Sequence, residues 1–501
     1  IVPAAGAEAI AVPLKKDKPQ SLSESLFGKG IQKSGSLIRG FQVSSNRDFT
    51  LNSGLRLQLS GRLSEDIEIV AALSDENIPI QPEGNTERLN EIDKVFLQIK
   101  HKNITGTFGD YEMRLASGEF GKLNRKLQGL KGEFTFGNFN GVAAIASARG
   151  KFNSFFFMGR DGNQGPYRLA GSNNENDITV IAGSEKVFVD GVEMKRGENN
   201  DYVVDYSSAQ ITFTSKRLIT SASRINVDFE YTDRRFQRNF MGVNLNTILF
   251  DGKIWFSFNY LRESDDKDNL IEYSLSDEEK RVLEQAGGDR SRGVISGVSE
   301  SAPDSLGNQT GLYVKKDTLI NSSPFTYYAY APNTRDARFN VVFSYVGEGK
   351  GDYSRLTLSN YKFAGIGKGS YLPIKYLPMP ELKQNASFVI ESELIRNTKI
   401  SLELAGSFYN ANRFSTLEGT IKNGFAANLN FELKPVPFEL FGHSLGKASF
   451  SFKERYLGNN YIPFDRINPV EFNREYNFNS EGNAYEELRE INLNYLPSYN
   501  L

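Results

Sequence analysis

Strict alternation of apolar and polar residues is the dominant pattern of this chain, in stretches of about ten residues separated by polar loops. Within residues 399–409, Leu402 and Leu404 lie on one face, and Ser401 and Glu403 lie on the other. A period of two is the period of a β-strand. The pattern recurs at residues 253–260, 339–345, 424–434 and 447–453. The chain is therefore predicted to be all-β, with strands long enough to cross a bilayer.

Alternation alone does not decide whether the apolar faces of the strands contact lipid or a protein core, because the strands of a soluble β-sandwich alternate as well. Composition favours lipid, since the chain has 37 Phe, 23 Tyr and 45 Gly but no Cys. No uninterrupted apolar run reaches the roughly 18 residues that a spanning helix needs. The predicted fold is a transmembrane outer-membrane β-barrel of about 14 to 18 strands, with a small inserted all-β domain that resembles a plug.

Whole-chain properties exclude several classes of protein. The 59 basic and 61 acidic residues nearly cancel, so no basic field would attract nucleic acid. The absence of cysteine excludes disulfides and thiolate metal sites. The chain begins at Ile1 and lacks a basic leader, which is typical of a mature chain after signal removal. The predicted location is the bacterial outer membrane.

Changes in texture along the chain predict four regions. Short, dense strand patterns at residues 178–181, 186–189, 202–206, 211–214 and 224–231 indicate a compact insertion. Asp190-Gly191 fits a tight hairpin turn within it. The predicted regions are a lead-in or tether at 1–35, barrel strands at 36–160, the inserted β domain at 161–235, and further barrel strands at 236–501. The inserted domain is expected in the lumen or in the periplasm.

The first barrel region contains strand patterns at 38–43, 55–59, 67–73, 95–99, 132–136 and 142–157, with a proline-containing loop at 74–94. In the last region, a long loop at 262–338 interrupts the strands. Ser276 and Gly287 mark the start and end of a short helix inside that loop. Long loops of such barrels usually face the outside.

Two motifs that suggest chemistry lack the context it requires. The pentapeptide at 442–446 matches the Gly-x-Ser-x-Gly elbow of serine hydrolases around Ser444, but a strand pattern follows it instead of a helix. The glycine-rich segments 347–353 and 365–371 repeat each other, yet neither has phosphate-loop spacing. We interpret the repeat as two clusters of turn glycines.

Acidic residues form no site that the sequence can identify. Asp161-Gly162-Asn163 could hold calcium weakly, but the full ligand spacing is missing. Asp265, Asp266 and Asp268 are interpreted as surface charges of the long loop. We therefore predict no catalytic, cofactor-binding or metal-ligating residue, and no cofactor. The polar strand faces carry both signs of charge, as at Glu403, Lys434, Lys447 and Lys453, which favours a wet and unselective lumen.

Residues 183–191, Arg196-Gly197, 201–206 and 211–213 together resemble a module of very large outer-membrane β-barrel proteins of the Bacteroidetes and Chlorobi lineages. That family includes the SprA-type translocon barrels of the type 9 secretion system. The resemblance covers chiefly residues 165–232, and it implies a secretion-type barrel with periplasmic or lumenal β-modules. This chain is much shorter than those proteins, and its end lacks the terminal aromatic strand expected of a finished barrel.

These observations lead to three hypotheses of function. The first is a gated outer-membrane conduit for protein or polymer export, with residues 161–235 as the gate. The second is a structural barrel that anchors or assembles surface components through the long loop, without transport. The third, a hydrolase built on Ser444, is the least supported, and the chain is expected not to be an enzyme. The predicted partners are the lipid bilayer and proteins of an envelope complex, with no nucleic acid.

Overall fold

The computed structural model describes residues 31–497 except 45–46, 77–95, 149, 173–174, 176–177, 234, 272–273, 306, 321, 358, 442 and 478–484. Its regular structure is almost entirely β-strand, as the alternation predicts. The chain divides into two compact units, which are described separately. The first comprises Ile1–Tyr111 and Leu130–Phe136, and the second comprises Glu112–Gly129 and Gly137–Leu501.

The first unit contains antiparallel strands, each paired with the next along the chain from β1 to β5. The strands are β1 (Ile31–Ser44), β2 (Arg47–Arg62), β3 (Ile67–Glu76), β4 (Phe96–His101), and the parts of β5 (Ile104–Leu115) and β6 (Leu123–Phe136) that belong to this unit. The strand patterns predicted in this region are confirmed. The sequence did not indicate β5, because its apolar residues change face, from Ile104 and Phe108 on one face to Tyr111, Met113 and Leu115 on the other. The predicted lead-in up to residue 30 and most of the loop at 74–94 lie outside the described residues.

The second unit holds the remaining elements. In chain order they are β7 (Phe139–Ala148), β8 (Lys151–Met158), β9 (Tyr167–Arg168), β10 (Thr179–Val180), β11 (Lys186–Val189), β12 (Val192–Glu193), β13 (Tyr202–Asp205), β14 (Gln210–Phe213), β15 (Arg224–Thr232), β16 (Phe236–Leu249), β17 (Ile254–Leu270), α1 (Asp277–Ala286), β18 (Val294–Ser296), β19 (Val298–Glu300), β20 (Tyr313–Ile320), β21 (Ser323–Tyr330), β22 (Phe339–Val341), β23 (Ser344–Tyr345), β24 (Tyr353–Arg355), β25 (Tyr361–Phe363), β26 (Tyr371–Leu372), β27 (Ile374–Tyr376), β28 (Leu382–Ser392), β29 (Thr398–Asn410), β30 (Ile421–Leu440), β31 (His443–Leu457), α2 (Phe472–Glu475) and β32 (Glu486–Pro497).

A large antiparallel sheet forms the frame of this unit, in the order β7-β16-β17-β28-β29-β30-β31-β32. The long strands predicted at 253–260, 399–409, 424–434 and 447–453 are confirmed within it. The strand predicted at 339–345 is confirmed in part, as the two short strands Phe339–Val341 and Ser344–Tyr345. Its place among the long strands is wrong, because the two pair in small separate sheets. A strand pairing that would close a barrel is not found among the described residues, and no helix of the described residues is long and apolar enough to cross a membrane.

The connections of this sheet differ in length between its two ends. At one end the strands are joined by short turns at 250–253, 393–397 and 441–442. At the other end the connections are long, at 149–235, 271–381, 411–420 and 458–485. The registers place Asn410 opposite Ile421, and Leu457 opposite Glu486, at this long-connection end. Such asymmetry is typical of outer-membrane barrels.

The first long connection is a compact β domain with its own core, which includes Val187, Ile211, Val227 and Phe229. It begins earlier than the predicted residue 161, because β8 pairs along its length with β15 instead of continuing β7. The predicted hairpin turn at Asp190-Gly191 is confirmed, with positive φ of 51° and 81° at its two residues. We call residues 150–233 the inserted domain.

The second long connection, residues 271–381, is folded as well. Ser276 caps α1 through a complete capping box, as the sequence predicts. Buried Tyr313 and Tyr353 join small sheets through their hydroxyl groups. The interruption is longer than the predicted 262–338, because β17 extends to Leu270 and β22 belongs to a small sheet. The two glycine repeats pair with each other between Gly351 and Gly369.

Candidate functional site

The two faces of the large sheet are opposite to those of a soluble protein. Apolar side chains on one face are exposed, whereas polar side chains on the other face are buried. On β29, Leu404 is 39% exposed and its neighbour Glu403 is 3% exposed. The exposed apolar set includes Ile145, Met241, Phe388, Ile390, Leu402, Phe425 and Leu429. The buried polar set includes Asn244, Ser257, Asn259, Asn385, Ser387, Ser407 and Asn428. We call the buried polar face the inner face.

Side-chain amides and hydroxyls bond to one another across the inner face. The Asn259 amide donates to Ser387 Oγ over 3.2 Å, and the Asn244 amide donates to Ser257 Oγ over 3.3 Å. These side chains are buried because the segment 116–122, between β5 and β6, lies against them. A Cβ on Gly121 would be 2.6 Å from Ser387 Oγ and 2.8 Å from the Asn259 amide nitrogen. Only glycine allows this close approach.

Glu403, predicted on a polar strand face, binds the same segment. Its carboxylate accepts hydrogen bonds from the backbone amides of Glu119 at 2.6 Å and Phe120 at 2.8 Å. Gly118 has a φ of +75°, and a Cβ there would overlap the Glu403 carboxylate. Backbone amides that converge on one carboxylate hold a segment firmly, because charge-assisted hydrogen bonds are strong.

A second segment, residues 458–477 between β31 and β32, also covers the inner face, and we call it the strap. Its Tyr461 accepts a hydrogen bond from the Asn385 amide, and its Ile462 amide donates to Ser407 Oγ over 3.0 Å. A Cβ on Gly424 would overlap the backbone of Tyr461. The strap therefore lies directly on the wall strands β28, β29 and β30.

Arg455 joins both covering segments to the wall. Its side chain is 2% exposed, and its Nε lies 2.8 Å from Glu119 Oε1 in segment 116–122. One Nη forms an ion pair with Glu486 of β32, and the other donates to Asn468 Oδ1 of the strap over 2.6 Å. Removing one member of such a buried group leaves its partners uncompensated, which typically costs about 3–5 kcal/mol.

Charged residues also join the inserted domain to the wall. Lys151 of the domain lies 3.3 Å from Asp233 and 3.7 Å from Glu381, the residue before β28. Arg238 of β16 binds Asp265 at 2.8 Å and Glu381 at 3.2 Å. Asp265 is therefore not the surface charge that the sequence suggested: it is buried on β17, because that strand continues past residue 262.

The inserted domain and the strap are joined by two ion pairs. Arg466 of the strap lies 2.6 Å from Asp228 of β15, and its guanidinium stacks over the Phe188 ring. Arg224 of β15 lies 2.9 Å from Glu471 of the strap. Segment 116–122 and the strap thus cover the inner face, and ion pairs hold the inserted domain to the strap and to the wall.

Glu230 of the inserted domain faces this charged region. Burial raises the pKa of its carboxyl to about 7; Arg125 and Lys126 oppose the shift, whereas Glu263 and Asp465 add to it. An exposed glutamate titrates near 4.3. Between about pH 4.3 and pH 7, the Glu230 carboxyl is therefore protonated in the folded protein and ionised in the unfolded chain. The free energy of unfolding falls as the pH rises through this range.

We expect Glu230→Gln to abolish this part of the pH dependence. At pH 8 the variant should be more stable than the parent by up to about 3 kcal/mol, and at pH 5 the difference should shrink to about 1 kcal/mol. Urea unfolding at both pH values measures this difference. Glu198→Gln, at an exposed position of the same domain, is the matched control and should keep the parent's profile. An unchanged profile in Glu230→Gln would contradict the assignment.

The motifs that suggested chemistry have structural positions. Ser444 lies at the start of β31 with no helix after it, and Gly442 is outside the described residues. The Asp161 carboxylate accepts hydrogen bonds from the Ser221 amide and hydroxyl. Within the described part of the chain, no cluster of three or more His, Asp or Glu side chains could hold a metal ion. The sequence did not reveal the strap. The one feature that could have indicated a covering segment is a charged residue on a wall strand, such as Arg455, which needs a buried partner.

Comparison with known proteins identifies a shared module but no family for the whole chain. Residues 152–233 match a family model described as a domain of unknown function (DUF8818). No curated protein matches the chain.

Solved structures give only weak similarities. OmpT, an outer membrane protein of Vibrio cholerae, is 9% identical with a TM-score of 0.25, covering 86% of this chain and 85% of its own. OccK11 (OpdR) of Pseudomonas aeruginosa is 7% identical with a TM-score of 0.18, covering 94% and 95%. OccAB4 of Acinetobacter baumannii is 9% identical with a TM-score of 0.16, covering 85% and 92%. These scores are too low to establish a shared fold.

Proposed function

We propose that this protein is an outer-membrane β-barrel that acts as a gated conduit, closed by the inserted domain, the strap and segment 116–122. The observation that carries the proposal is the reversal of the sheet's two faces. A sheet in water would bury Phe388 and Leu404 and expose Glu403 and Ser387. In a membrane barrel, hydrocarbon surrounds the outer face and the interior is polar, so the preference is reversed. Transfer of each large apolar side chain out of water is favourable by about 1.5–3 kcal/mol.

The connection lengths suggest an orientation. Short turns of outer-membrane barrels face the periplasm, and long loops face the outside. The inserted domain, the strap and residues 271–381 all leave the sheet at the long-connection end. We therefore place the inserted domain at the external mouth of the channel, from which it covers the inner face.

A gate must move without unfolding, and the inserted domain meets that requirement. It has a hydrophobic core of its own, so it stays folded when it leaves the wall. The contacts described between it and the strap or the wall are ion pairs and hydrogen bonds of residues such as Lys151, Arg224 and Asp228, together with the stacking of Arg466 over Phe188. With no cysteine in the chain, no disulfide fixes it in place. Displacing it would uncover a polar, water-compatible surface.

Export of a protein or polymer is the substrate class that we propose. The resemblance to SprA-type translocon barrels supports it, and that resemblance lies in the same region as the match to a family of unknown function. Partner proteins of the envelope would supply the cargo and the signal to open. A wide polar channel suits a polymer, because a long chain has to pass without binding tightly at any point.

Residues 271–381 favour a second candidate function, a barrel that anchors surface components. They form a compact folded region with buried Tyr313, Tyr353 and Leu283, not an unstructured loop. A folded region at the external end is suited to hold a protein partner. This function predicts tight binding of that partner and no conductance under any condition.

Releasing the inserted domain from the strap tests the conduit. The double variant Arg224→Gln with Arg466→Gln removes the cationic side of both ion pairs, and Glu471 keeps its ion pair with Arg474 inside the strap. We expect intermittent openings in planar bilayers where the intact protein stays closed. Arg489→Gln, which removes an exposed ion pair of β32, is the control and should remain closed. Recordings of the double variant that match the control would argue against gating at these contacts.

A further inference from the structure

The inserted domain has an open sheet edge at β8. Strand β15 lies at the centre of the domain's larger sheet, with β11 on one side and β8 on the other. Among the described residues, β8 pairs with β15 and with no second strand. The outer edge of such a strand presents backbone amides and carbonyls that another strand can pair with.

The hydrogen bonds of β15 show which backbone groups of β8 point outward. The Arg224 carbonyl accepts a hydrogen bond from the Asp190 amide over 2.9 Å, on the side of β15 that faces away from β8. Backbone groups point alternately to the two sides of an antiparallel strand. Met158 lies opposite Arg224, and Phe156 and Ser154 follow at the same period of two. The amides and carbonyls of these three residues therefore point away from β15.

The sequence of β8 gives this edge none of the usual protection. Natural edge strands are commonly protected by charged residues, proline or a bulge. Residues 152–158, Phe-Asn-Ser-Phe-Phe-Phe-Met, contain no charge and no proline, and their pairing with β15 runs without a bulge. Phe156 is 54% exposed and Met158 is 46% exposed, and Phe155 and Phe157 on the core side are only partly buried. An added strand would therefore cover apolar surface on both faces of the sheet.

The surroundings of the edge favour an uncharged polypeptide as its partner. The charged neighbours of β8 on β15 are already paired, Arg224 with Glu471 and Asp228 with Arg466. Apolar or small polar side chains therefore fit opposite the exposed residues of β8. An unfolded polypeptide offers amides and carbonyls at the spacing of a strand, whereas a polysaccharide has no backbone that could continue the ladder.

We propose that the open edge of β8 binds an extended, uncharged segment of the exported polypeptide, which adds to the sheet of the inserted domain as a further strand. The inference rests on the conduit proposed above, and it selects protein as the cargo. Main-chain hydrogen bonds at Ser154, Phe156 and Met158 provide affinity that depends little on the sequence of the cargo. The exposed side chains of Phe156 and Met158 add contacts with apolar residues of the bound segment.

Peptide binding to the full chain in detergent tests the edge. The probe is a short fluorescein-labelled peptide of alternating Thr and Val with a lysine at each end. Its control has the same side chains but N-methyl groups along the backbone, which remove the amide donors and block strand pairing. We expect fluorescence anisotropy to show binding of the probe, and binding of the N-methylated peptide that is weaker by about tenfold or more.

A proline on β8 provides the matching change in the protein. Phe156→Pro removes an outward amide and leaves the hydrogen bonds to β15, because proline is tolerated where the amide of an edge strand faces solvent. Glu193→Pro is the control on β12, at the opposite edge of the same sheet. The Met194 amide donates to the Val187 carbonyl, so the preceding amide of Glu193 points outward. Phe156→Pro should bind the probe about tenfold or more weakly than the parent, and Glu193→Pro should bind it equally well.

Equal binding of the two peptides to the parent protein would overturn the proposal, whether or not Phe156→Pro folds. Equal binding of the probe by Phe156→Pro and Glu193→Pro would overturn it as well. Self-association of the parent that Phe156→Pro abolishes would assign the edge to a second copy of the chain instead. Conductance is measured without the peptide, so a channel that opens in the Arg224→Gln, Arg466→Gln variant while the probe fails to bind overturns the edge alone. Binding of the probe without any conductance would remove the conduit and leave the edge.

Discussion

A chain in which residues 150–234 are replaced by a short Gly-Ser turn is expected to conduct ions steadily in planar bilayers, while the intact protein stays closed. The deletion is structurally feasible because β7 and β16 are antiparallel neighbours, with Ser147 opposite Asn239, so a hairpin can replace the domain. The wall strands keep their pairing. Because the deletion also removes Arg224 and Asp228, the strap loses the two ion pairs that held it to the domain. A more mobile strap should widen the opening.

Replacing residues 271–380 by a flexible linker, which keeps Glu381 as a partner of Lys151, is the control for this deletion. It removes a folded region at the same end of the sheet, between strands β17 and β28 that also pair directly. The inserted domain and the strap remain, so this variant should stay closed. If neither deletion conducts although both insert into membranes, the conduit is excluded and the anchoring function becomes the better account.

Leu404→Arg is expected to prevent stable insertion of the protein into membranes. Leu404 lies in the middle of β29 on the exposed apolar face. An arginine near the centre of a lipid-facing barrel wall costs about 2–4 kcal/mol. The measurement is the fraction of protein folded into vesicles as urea is diluted. Leu356→Arg, at an exposed leucine outside the large sheet, should change stability by no more than about 0.5 kcal/mol.

The opposite result would exclude lipid as the surroundings of this face. In water, an arginine at a 39% exposed position is well solvated and removes an exposed leucine. Leu404→Arg would then fold as well as the parent or better, and it would improve solubility. Equal insertion of Leu404→Arg and Leu356→Arg therefore contradicts the barrel.

The sequence predicted the all-β structure because strand structure is local. Alternation with period two identified β29, β30 and β31, and the Asp190-Gly191 pair identified the turn after β11. The Ser276 cap identified α1. These features depend on residues within one element, so they are readable without knowledge of what the element packs against.

The parts that could not be predicted depend on distant partners. The alternation at residues 339–345 is real, but it does not say which sheet the strand joins. The sequence around Asp265 resembles a charged surface loop, and it does not show that Arg238 of the neighbouring strand pairs with this carboxylate. The strap has no period of its own, and its position comes from contacts with residues far away in the chain, such as Ser407 and Asp228. Sequence pattern carries no signal for such contacts.

Thiol labelling along β29 tests the central claim, that the exposed apolar face meets lipid and the polar face meets a covered interior. The chain has no cysteine, so Leu402→Cys and Leu404→Cys give clean signals. In vesicles, a water-soluble maleimide should leave both unlabelled and should label both once urea unfolds the protein, because only a hydrated thiol ionises to the reactive thiolate. Leu356→Cys should react from the water in the folded protein. Rapid labelling of Leu402→Cys and Leu404→Cys by the water-soluble reagent in the folded protein would contradict the claim.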